Sequence, residues 1–474
     1  MLEWLPFLAV LAIAAPFAAA LGVGIVSFLA RVPAESTSHR IVLGALTTSA
    51  VALGALAAFT ALSGRPHLEI ELGPWFRVGH YEFELAFLLD ELSLGFGLVV
   101  AIVGILIGRF AVHYLHRESG HARFFGFLGL AVAGLEVVAL AASYDILFLG
   151  WEIVGVSSVA MVLFFHTRPG PVRAAMQVLA SYRIADLGLL LGAVVLHDAA
   201  GTTRYEAVFE HGAWPRGATH IDVSAATIVA ALLVLSASGK SAQLPFSAWL
   251  PRAMEGPTPS SALFYGALSI HAGVFLLLRS APLFEHAPVA RFVLLAVGGA
   301  TALYAALTGR VQSDAKGQMA FATMAQVGVM FVEIGLGFTT LAALHLVAHA
   351  FLRGFQLLRT PSVITDVRRI QAELRGRPLP QENAIERSLP LPVAQRLYRL
   401  ALERFHLDSL AQRLVIGPVM RASGLLAAAD DALVEVLSGG AGTSDGAPRS
   451  PHETSLPAGS PPGDETLRVG GGGA

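Results

Sequence analysis

Apolar segments of about 20 residues, the length that crosses a bilayer as a helix, recur as far as residue 360 and alternate with short polar segments. We therefore predict an all-α membrane protein with eleven spanning helices. The first segment has no basic start before a short apolar core, so we expect an uncleaved helix rather than a signal peptide. The predicted spans are residues 4–30, 41–62, 92–112, 124–143, 145–165, 175–197, 224–244, 259–280, 289–308, 318–337 and 339–358.

The polar parts of the chain divide it into four regions. Residues 1–84 hold two spans and GRPHLEIELGPWFRVGHYEFELAF, whose partly alternating pattern around Gly-Pro predicts a small exposed hairpin. Residues 85–360 form the main membrane domain. Residues 361–438 have a charged, helical pattern without an uncharged span, so we predict that they lie on the membrane surface or against a partner. Residues 439–474 are rich in Gly, Pro and Ser, which predicts disorder.

Basic residues in the short loops predict the orientation. Loops after odd-numbered spans carry ten Arg or Lys residues, against six after even-numbered spans. Positive charge is retained on the cytoplasmic side. We therefore predict a multi-pass protein of the inner (plasma) membrane, with its N-terminus outside and its C-terminal region in the cytoplasm.

The composition supports a membrane protein and excludes several functions. Hydrophobic residues make up 54% of the chain, charged residues 14%, and the mean hydropathy is +0.64. A soluble domain carries roughly 25% charged residues. The formal net charge of −2 gives no indication of nucleic-acid binding, and the lack of Cys excludes disulfides, thiolate metal sites and iron–sulfur clusters. No nucleotide loop, flavin signature or haem signature is present, so we expect no cofactor.

The chain contains only two lysines, Lys240 and Lys316, although arginine is plentiful. Lys240 ends the apolar stretch IVAALLVLSASGK. A buried lysine can lose its proton near physiological pH, whereas arginine stays charged. Lys240 therefore indicates a site that changes charge, and the alternative is an arginine-rich codon bias that left two lysines by chance. Glu152, in LFLGWEIVGVSSVAM, is the best-placed acid. Together the two residues form either a switchable proton site or a static ion pair between helices.

His345 and His349 lie four residues apart in LAALHLVAHAFLRGFQLL and share one helix face. Imidazole titrates near neutrality and can accept a proton at one nitrogen while it donates from the other. The pair is therefore a candidate proton relay. Helix-packing hydrogen bonds and a divalent metal site are the alternatives, but no third ligand is evident and the HExxH pattern is absent. We predict no metal.

Pro245 follows Lys240 by five residues and predicts a helix break. Broken helices at membrane depth are tolerated where they line a wet cavity. We expect Lys240 to face such a cavity or other polar groups. The alternative is a loop that simply begins at Gln243.

Ionisable residues within spans are costly, so each is a functional candidate. Glu136 and Glu333 either extend a polar axis or lie near the membrane interfaces. His271 is expected to make a helix-packing hydrogen bond. Asp186 completes this set of candidates.

The segment GKSAQLPFSAWLPRAMEGPTPSSALFYGA (239–267) closely resembles the hallmark of the proton-conducting subunits shared by NADH-quinone oxidoreductase subunit L and Mrp-type cation/proton antiporters. The resemblance covers about residues 85–360. It extends to FLGWEIVGVSSVAM (148–161), YRIADLGLLLG (182–192), QSDAKGQMAFATMAQVGVMF (312–331) and HLVAHAFLRGFQLL (345–358).

The resemblance implies roles for individual residues. Glu152 and Lys240 match the proton-handling pair, and His345 and His349 match the histidines that relay protons along the membrane midplane. Other polar family positions are matched by Asp186, Asp314 and Lys316, the last two at a cytoplasmic helix end.

The chain also departs from the family pattern. Arg353 stands where lysine is usual, and Tyr265 replaces a histidine, with His271 six residues later. The segment LYRLALERFHLDSLAQRLVIGPV (397–419) looks like the family's far C-terminal stretch. The resemblance thus implies an antiporter-like fold whose second inverted repeat is truncated by about three helices. Either another subunit closes the outer half-channel, or no complete proton path exists.

Three functions are consistent with this pattern. The first is a proton-translocating subunit of a non-standard assembly, such as the two-component inorganic-carbon uptake system with its zinc-containing, carbonic-anhydrase-like partner. The second is a true respiratory subunit L. The third is a non-conducting membrane scaffold. In the first two, we expect other membrane subunits and a peripheral cytoplasmic protein as partners, with protons or sodium as the coupling ion.

Overall fold

The computed structural model describes residues 4–29, 33–79, 81–210, 214–215, 217–360, 390–411, 413 and 417–437. Within these residues eleven helices are long and apolar enough to cross a membrane, which confirms the predicted number. They are α1 (Trp4–Phe28), α2 (Glu35–Ser63), α3 (Glu91–Tyr114), α4 (His121–Leu140), α5 (Tyr144–Phe165), α6 (Pro169–Ala200), α7 (Val223–Lys240), α8 (Thr258–Arg279), α9 (Pro288–Gly309), α10 (Ala315–Gly335) and α11 (Thr339–Leu358).

Three spans differ clearly from their predicted bounds. Helix α2 begins at Glu35, six residues before the predicted 41. Helix α6 begins six residues before the predicted 175, because Pro169 suits the first turn of a helix and Arg173 is carried within it. Helix α7 ends at Lys240 instead of 244. Beyond it the backbone of Ala242 has a positive φ of 52°, which an α-helix does not accommodate.

The predicted hairpin is confirmed between α2 and α3. Strand β1 (Leu68–Val78) pairs antiparallel with β2 (Tyr81–Leu89). Its tip exposes Trp75 and Phe76, whereas its base is buried, with Leu89 fully covered. One face of the base is apolar and packs against the α1–α2 pair, so the prediction of an exposed hairpin holds only for the tip.

Helix α8 is the centre of the bundle, since every residue of its apolar window is buried. It starts with a helical turn at Thr258–Ser260, continues as a π-helix over Ser261–Ala267 and ends as a regular helix over Ser269–Arg279. Helices α3, α7, α10 and α11 pack around it. The hydrogen bond from Tyr114 Oη to Thr258 Oγ1 (3.2 Å) ties the start of α8 to the end of α3 that is remote from the hairpin.

Glycines bring α6 and α7 into close contact. A Cβ atom on Gly188 would lie 2.4 Å from the carbonyl oxygen of Leu232, and one on Gly239 would lie 2.0 Å from Ala185 Cβ. No side chain fits at either position. This close approach places the end of α7 beside the middle of α6.

Several short elements connect or follow the spanning helices. The connecting elements are Tyr205–Val208, a two-residue ladder of Phe209–Glu210 with Ala218–Thr219, Trp249–Arg252 and Ala281–His286. The C-terminal helices are Leu391–Leu402, Leu407–Ala411 and Gly417–Leu437. The first of these packs against α9.

The chain divides into two compact units, Met1–Val419 and Met420–Ala474. The first unit contains the spanning helices. The second is described only over the end of the Gly417–Leu437 helix. Residues 361–389 and the predicted disordered tail, 439–474, lie outside the described residues.

Candidate functional site

Lys240 is the last residue of α7, and its side chain is fully buried. Its Nζ atom donates to the carbonyl oxygen of Trp151 (3.2 Å) and lies 3.8 Å from Asp186 Oδ1. The same atom is 4.9 Å from the ring centre of Trp151 and 4.3 Å from that of Tyr182. An ammonium group is thus held by one carbonyl, one distant carboxylate and two aromatic faces.

The two residues predicted as a pair, Glu152 and Lys240, are not in direct contact. Within the described residues, the carboxylate of Glu152 forms its ion pair with Arg183. Arg183 Nη2 also lies 3.0 Å from Asp186 Oδ2. Because of the way α5 and α6 are rotated against α7, Arg183 and Asp186 lie between the predicted partners. Asp186, predicted as a supporting residue, is therefore the carboxylate next to Lys240.

These four residues, Glu152, Arg183, Asp186 and Lys240, are called the charged row. The exposed fraction of the side chain is 45% for Arg183, 23% for Glu152, 4% for Asp186 and 0% for Lys240. The charged row therefore runs from the accessible edge of the bundle into its interior. Asp186 is further fixed by Trp151 Nε1, which donates to its Oδ1 at 2.5 Å.

Arg183 was missed by the sequence-based reasoning. A signal was available, because this arginine lies inside the predicted span 175–197, three residues before Asp186. That spacing places the two side chains on one helix face. A charged residue of this kind within a span is itself a functional candidate.

A second polar cluster joins α8 and α11. His271 Nε2 lies 2.9 Å from His349 Nδ1, and His271 Nδ1 lies 2.7 Å from the carbonyl oxygen of Ala267. Because a carbonyl oxygen only accepts, His271 Nδ1 carries a proton and, in the neutral ring, its Nε2 accepts from His349. His271 thus makes the expected helix-packing hydrogen bond and also extends the predicted histidine pair.

His345 and Glu333 continue this cluster along α11 and α10. His345 Nδ1 lies 3.0 Å from Glu333 Oε1, and the rings of His345 and His349 are 6.0 Å apart. On the other side, Arg353 Nε donates to His349 Nε2 at 3.3 Å. Glu333, His345, His349 and His271 are called the histidine row. Arg353 ends it as a fixed positive charge, because arginine keeps its proton.

The break after Lys240 ties the end of α7 to α8. Residues 241–248 are not helical, and Pro245 lies within this segment, five residues after the helix has ended. Ser241 Oγ donates to the carbonyl oxygen of Ile270 (2.6 Å), the residue before His271. Gln243 Nε2 holds the segment by donating to the carbonyl oxygen of Ser241 (2.9 Å). The charged row and the histidine row therefore both adjoin α8.

The remaining candidates lie apart from these rows. Asp314 caps α10 by accepting from the backbone N–H of Gly317 (2.6 Å), and Lys316 Nζ donates to the carbonyl oxygen of Gly256 (3.4 Å). Both lie at a helix end, as predicted. Glu136 is fully buried in α4, and neither of its carboxyl oxygens has a hydrogen-bond partner among the described residues.

The described part of the chain contains no group of three or more His, Asp or Glu side chains able to hold a metal ion. The observed pairings are instead hydrogen bonds and ion pairs between ionisable groups. Such an arrangement can exchange protons or hold charge.

Another charged cluster lies outside the spans, at the base of the hairpin. Arg204 forms ion pairs with Glu69 (2.8 Å), Glu71 (2.5 Å) and Glu84 (2.5 Å). Burial, together with a hydrogen bond that the protonated Glu69 donates to Glu206, raises the pKa of Glu69 to about 7 although Arg204 opposes the shift. The sequence pattern predicted only a hairpin here, not this cluster.

The eleven spanning helices and the two polar rows define a polytopic membrane protein with an antiporter-like fold. The family model of the NADH:quinone oxidoreductase/Mrp antiporter transmembrane region matches residues 141–380, just over half of the chain. The model of the NADH-ubiquinone oxidoreductase (complex I) chain 5 N-terminus matches residues 75–125. The chain belongs to this NADH:quinone oxidoreductase/Mrp antiporter family.

Individual relatives agree with this assignment. The NADH-ubiquinone oxidoreductase chain 5 of Cryptococcus neoformans is 37% identical over 69% of this chain and 48% of its own length. The NADH-quinone oxidoreductase subunit L of Mycobacterium tuberculosis is 35% identical over 61% of this chain and 45% of its own. The chain therefore spans about half the length of the curated relatives it matches.

Two solved structures share the fold. A chain of the Mrp complex from Dietzia sp. DQ12-45-1b superposes with a TM-score of 0.62 and 27% identity, over 74% of this chain and 37% of that one. A chain of an archaeal membrane-bound sulfane sulfur reductase, a respiratory membrane complex, has the same TM-score. Its identity is 18%, over 74% of this chain and 70% of that one. The second likeness concerns the fold alone.

Proposed function

We propose that this chain is a proton-translocating membrane subunit of a larger complex, working through the charged row and the histidine row. The observation that carries the proposal is the setting of Lys240. Its ammonium is fully buried, yet its carboxylate partner is 3.8 Å away. A charge held this loosely in a low-dielectric site is sensitive to small movements of its neighbours.

Arg183 provides a way to control that charge. While Arg183 contacts Asp186, it offsets part of the negative charge that stabilises the Lys240 ammonium. If Arg183 moves fully to Glu152, Asp186 acts on Lys240 alone and favours proton binding. If Arg183 moves fully to Asp186, burial dominates and Nζ releases its proton. Glu152 therefore acts on Lys240 through Arg183 rather than by contact.

The histidine row takes the role of a relay in this proposal. The observed hydrogen bonds fit neutral rings in which His349 Nδ1 donates to His271 Nε2. A proton taken up at one ring nitrogen is balanced by release of the proton on the other nitrogen. Passage from His349 to His271 therefore moves one proton from α11 to α8 and makes His271 an imidazolium, because the Ala267 carbonyl oxygen at its Nδ1 cannot take a proton. His271 passes a proton on after its ring turns away from that oxygen.

The family relationship supports this function and a multi-subunit setting. Relatives named NADH-quinone oxidoreductase subunit L and chain 5, and the Mrp complex, are parts of membrane complexes. We extend this to other membrane subunits and a peripheral cytoplasmic protein as partners of the present chain. Co-purification followed by identification of the partners distinguishes a respiratory assembly from one built on a zinc-containing cytoplasmic protein.

The outer side of α11 indicates where a membrane partner would pack. Glu333 on α10 has a side chain that is 14% exposed, and His345 on α11 has one that is 22% exposed. Leu341 and Leu344, also on α11, are exposed. A carboxylate and an imidazole facing lipid tails are costly. We therefore expect a membrane helix of another subunit to cover this pair with polar groups.

The direction of the molecule in the membrane is part of the proposal. The arginine-rich ends, including the start of α8, are assigned to the cytoplasm, and the hairpin to the outside. A coupling role for sodium remains a variant of the same proposal. It predicts that sodium competes with proton flux.

The test uses the complex co-purified with the full chain and reconstituted in proteoliposomes that report internal pH. We expect Lys240→Ala to lower proton flux by about 100-fold or more, because the protonation site is lost. Arg109→Gln, at an exposed position of α3, is the matched loss of a positive charge and should retain the parent flux.

Equal flux in Lys240→Ala and the parent would overturn the transport proposal. That result would favour a non-conducting scaffold. Assembly of each variant is measured by its yield of intact complex, so that lost flux is not confused with lost protein.

A further inference from the structure

We infer that the hydroxyl groups of Tyr265, Ser158 and Tyr182 form a proton relay that serves Lys240 from the Thr258 end of α8. The inference deepens the proposed function and rests on it. It assigns a route of proton supply to three side chains that lie in neither the charged row nor the histidine row.

The three hydroxyl groups form a continuous chain across three helices. Tyr265 Oη lies 3.1 Å from Ser158 Oγ and also donates to the Ser158 carbonyl oxygen at 3.3 Å. Ser158 Oγ lies 3.4 Å from Tyr182 Oη. All three side chains are buried, with exposures of 1% or less. Because a phenol has one O–H donor, Tyr265 turns its proton from the Ser158 carbonyl oxygen to Ser158 Oγ when the chain conducts.

The chain ends at the ring that contacts the lysine. Lys240 Nζ lies 4.3 Å from the ring centre of Tyr182. An ammonium group has three N–H donors, but among the described residues only Trp151 accepts a direct hydrogen bond from it. A rotation about the last bonds of the flexible lysine side chain turns Nζ from the carbonyl of Trp151 towards the hydroxyl of Tyr182.

The local backbone is consistent with a functional rather than a purely structural role. Tyr265 lies in the π-helical part of α8, Ser261–Ala267, and π-helical turns occur frequently at functional sites. The ring of Trp249 packs edge-on against the rings of Tyr182 and Tyr265, with ring centres 5.1 Å and 5.6 Å apart. Ring packing of this kind would be equally satisfied by phenylalanine. Packing alone therefore does not explain the hydroxyl groups of Tyr182 and Tyr265.

The proposed step conserves every proton. A proton delivered to Tyr265 Oη displaces the hydroxyl proton of Tyr265 to Ser158 Oγ, which passes its own to Tyr182 Oη. Tyr182 passes its own to the neutral amine of Lys240, which becomes an ammonium. No group other than Lys240 changes its net charge, and rotation of the three hydroxyls resets the chain. The proton comes from water at the Thr258 end.

The test compares variants that remove one hydroxyl while keeping the shape. In the reconstituted complex, we expect Tyr265→Phe and Ser158→Ala each to lower proton flux by about tenfold or more, with Lys240 intact. Ser158→Thr keeps a hydroxyl and should restore at least half of the loss. The matched control is Tyr205→Phe, since the buried Tyr205 hydroxyl has no partner among the described residues. It should retain the parent flux.

The outcomes separate this inference from the proposed function. If Lys240→Ala abolishes flux while Tyr265→Phe and Ser158→Ala both keep the parent value, the relay is wrong and the proposed function stands. If Lys240→Ala keeps the parent flux, the proposed function itself fails. A loss in Ser158→Ala that Ser158→Thr does not restore, at equal yield of complex, indicates packing and also overturns the relay. Should Tyr265→Phe fail to assemble, the Ser158 pair of variants decides alone.

Discussion

Two buried ion pairs in this bundle have nearly the same burial but opposite geometry. Asp90 and Arg279, at the hairpin end, have side chains 1% and 3% exposed. Arg279 binds both carboxylate oxygens of Asp90, one at 2.9 Å through Nη2, and also donates to Ser93 Oγ at 2.7 Å. Asp186 and Lys240 are equally buried, but a single oxygen faces Nζ at 3.8 Å.

The difference separates a structural pair from a switchable one. Burying two charges costs several kcal/mol per ion, and only close, well-satisfied geometry offsets that cost. The Asp90–Arg279 pair meets this condition through a fork of hydrogen bonds, which arginine favours. The Asp186–Lys240 pair does not, so its charge state depends on its neighbours. Burial of an ion pair therefore does not indicate its function, whereas the distance and the type of cation do.

Exchanging the two cations gives the largest expected effects. Lys240→Arg keeps a positive charge but cannot release its proton, so flux should fall by about 100-fold or more while the complex still assembles. Arg279→Lys keeps the charge but loses the fork, which should lower the free energy of unfolding by about 1.5–3 kcal/mol. Flux per intact complex should remain near the parent value in this second variant.

Proteoliposome flux and thermal unfolding of the purified complex measure the two effects. The comparison fails if Lys240→Arg conducts normally, because Lys240 is then a static charge. It also fails if Arg279→Lys lowers flux per complex without lowering stability, because the hairpin-end pair then takes part in transport.

Removing the bridging arginine sharpens the comparison within the charged row. Arg183→Gln frees Asp186 to act on Lys240 at all times, which should hold the ammonium charged and lower flux by about tenfold. Arg183→Lys retains a positive charge between the two acids. Its proton flux should therefore lie between that of Arg183→Gln and that of the parent. Flux measured at matched yield of complex is the readout. Parent-like flux in Arg183→Gln would mean that Glu152 and Lys240 work independently.

The smallest effect concerns the Arg204 cluster and its pH dependence. The pKa of Glu69 is raised to about 7, mainly by burial, so its neutral form favours the folded hairpin base. That contribution is complete at low pH and is lost as the pH rises through about 7, with an expected change of roughly 1 kcal/mol. Thermal unfolding between about pH 6 and pH 8 measures it.

The matched variant for this effect is Glu69→Gln, which mimics the neutral acid and should flatten the dependence of stability on pH. Glu71→Gln, two residues further along the same strand, where the side chain is 65% exposed, should leave that dependence unchanged. An equal slope in Glu69→Gln and the parent would show that another group titrates.

The fold was largely predictable because each spanning helix has its own apolar segment. Lys240 was predictable as a buried charge for the same reason. Its neighbour was not, since whether Glu152 or Asp186 faces Nζ depends on how α5 and α6 rotate against α7, and that is set by tertiary contacts such as those of Gly188 and Gly239.

Long-range pairings were likewise beyond the sequence patterns. His271 and His349 are 78 residues apart, and no local pattern relates them. The burial of the hairpin base was missed because its apolar residues alternate, which is equally typical of a strand with one face in water. Arg183 is the exception, because it lay within a predicted span and only its candidacy was overlooked.

The π-helical turn of α8 (Ser261–Ala267) determines how this helix tolerates changes in length. Tyr265, within Ser261–Ala267, faces Ser158 on α5, whereas His271, beyond that turn, faces His349 on α11. Deleting one residue from this turn would let it return to α-helical winding, so the turn would absorb the lost residue and the flanking segments would keep their orientation about the helix axis. The α5-facing part and the α11-facing part of α8 would then both keep their register, so this turn is the place where α8 can change its length by one residue without losing either set of neighbours.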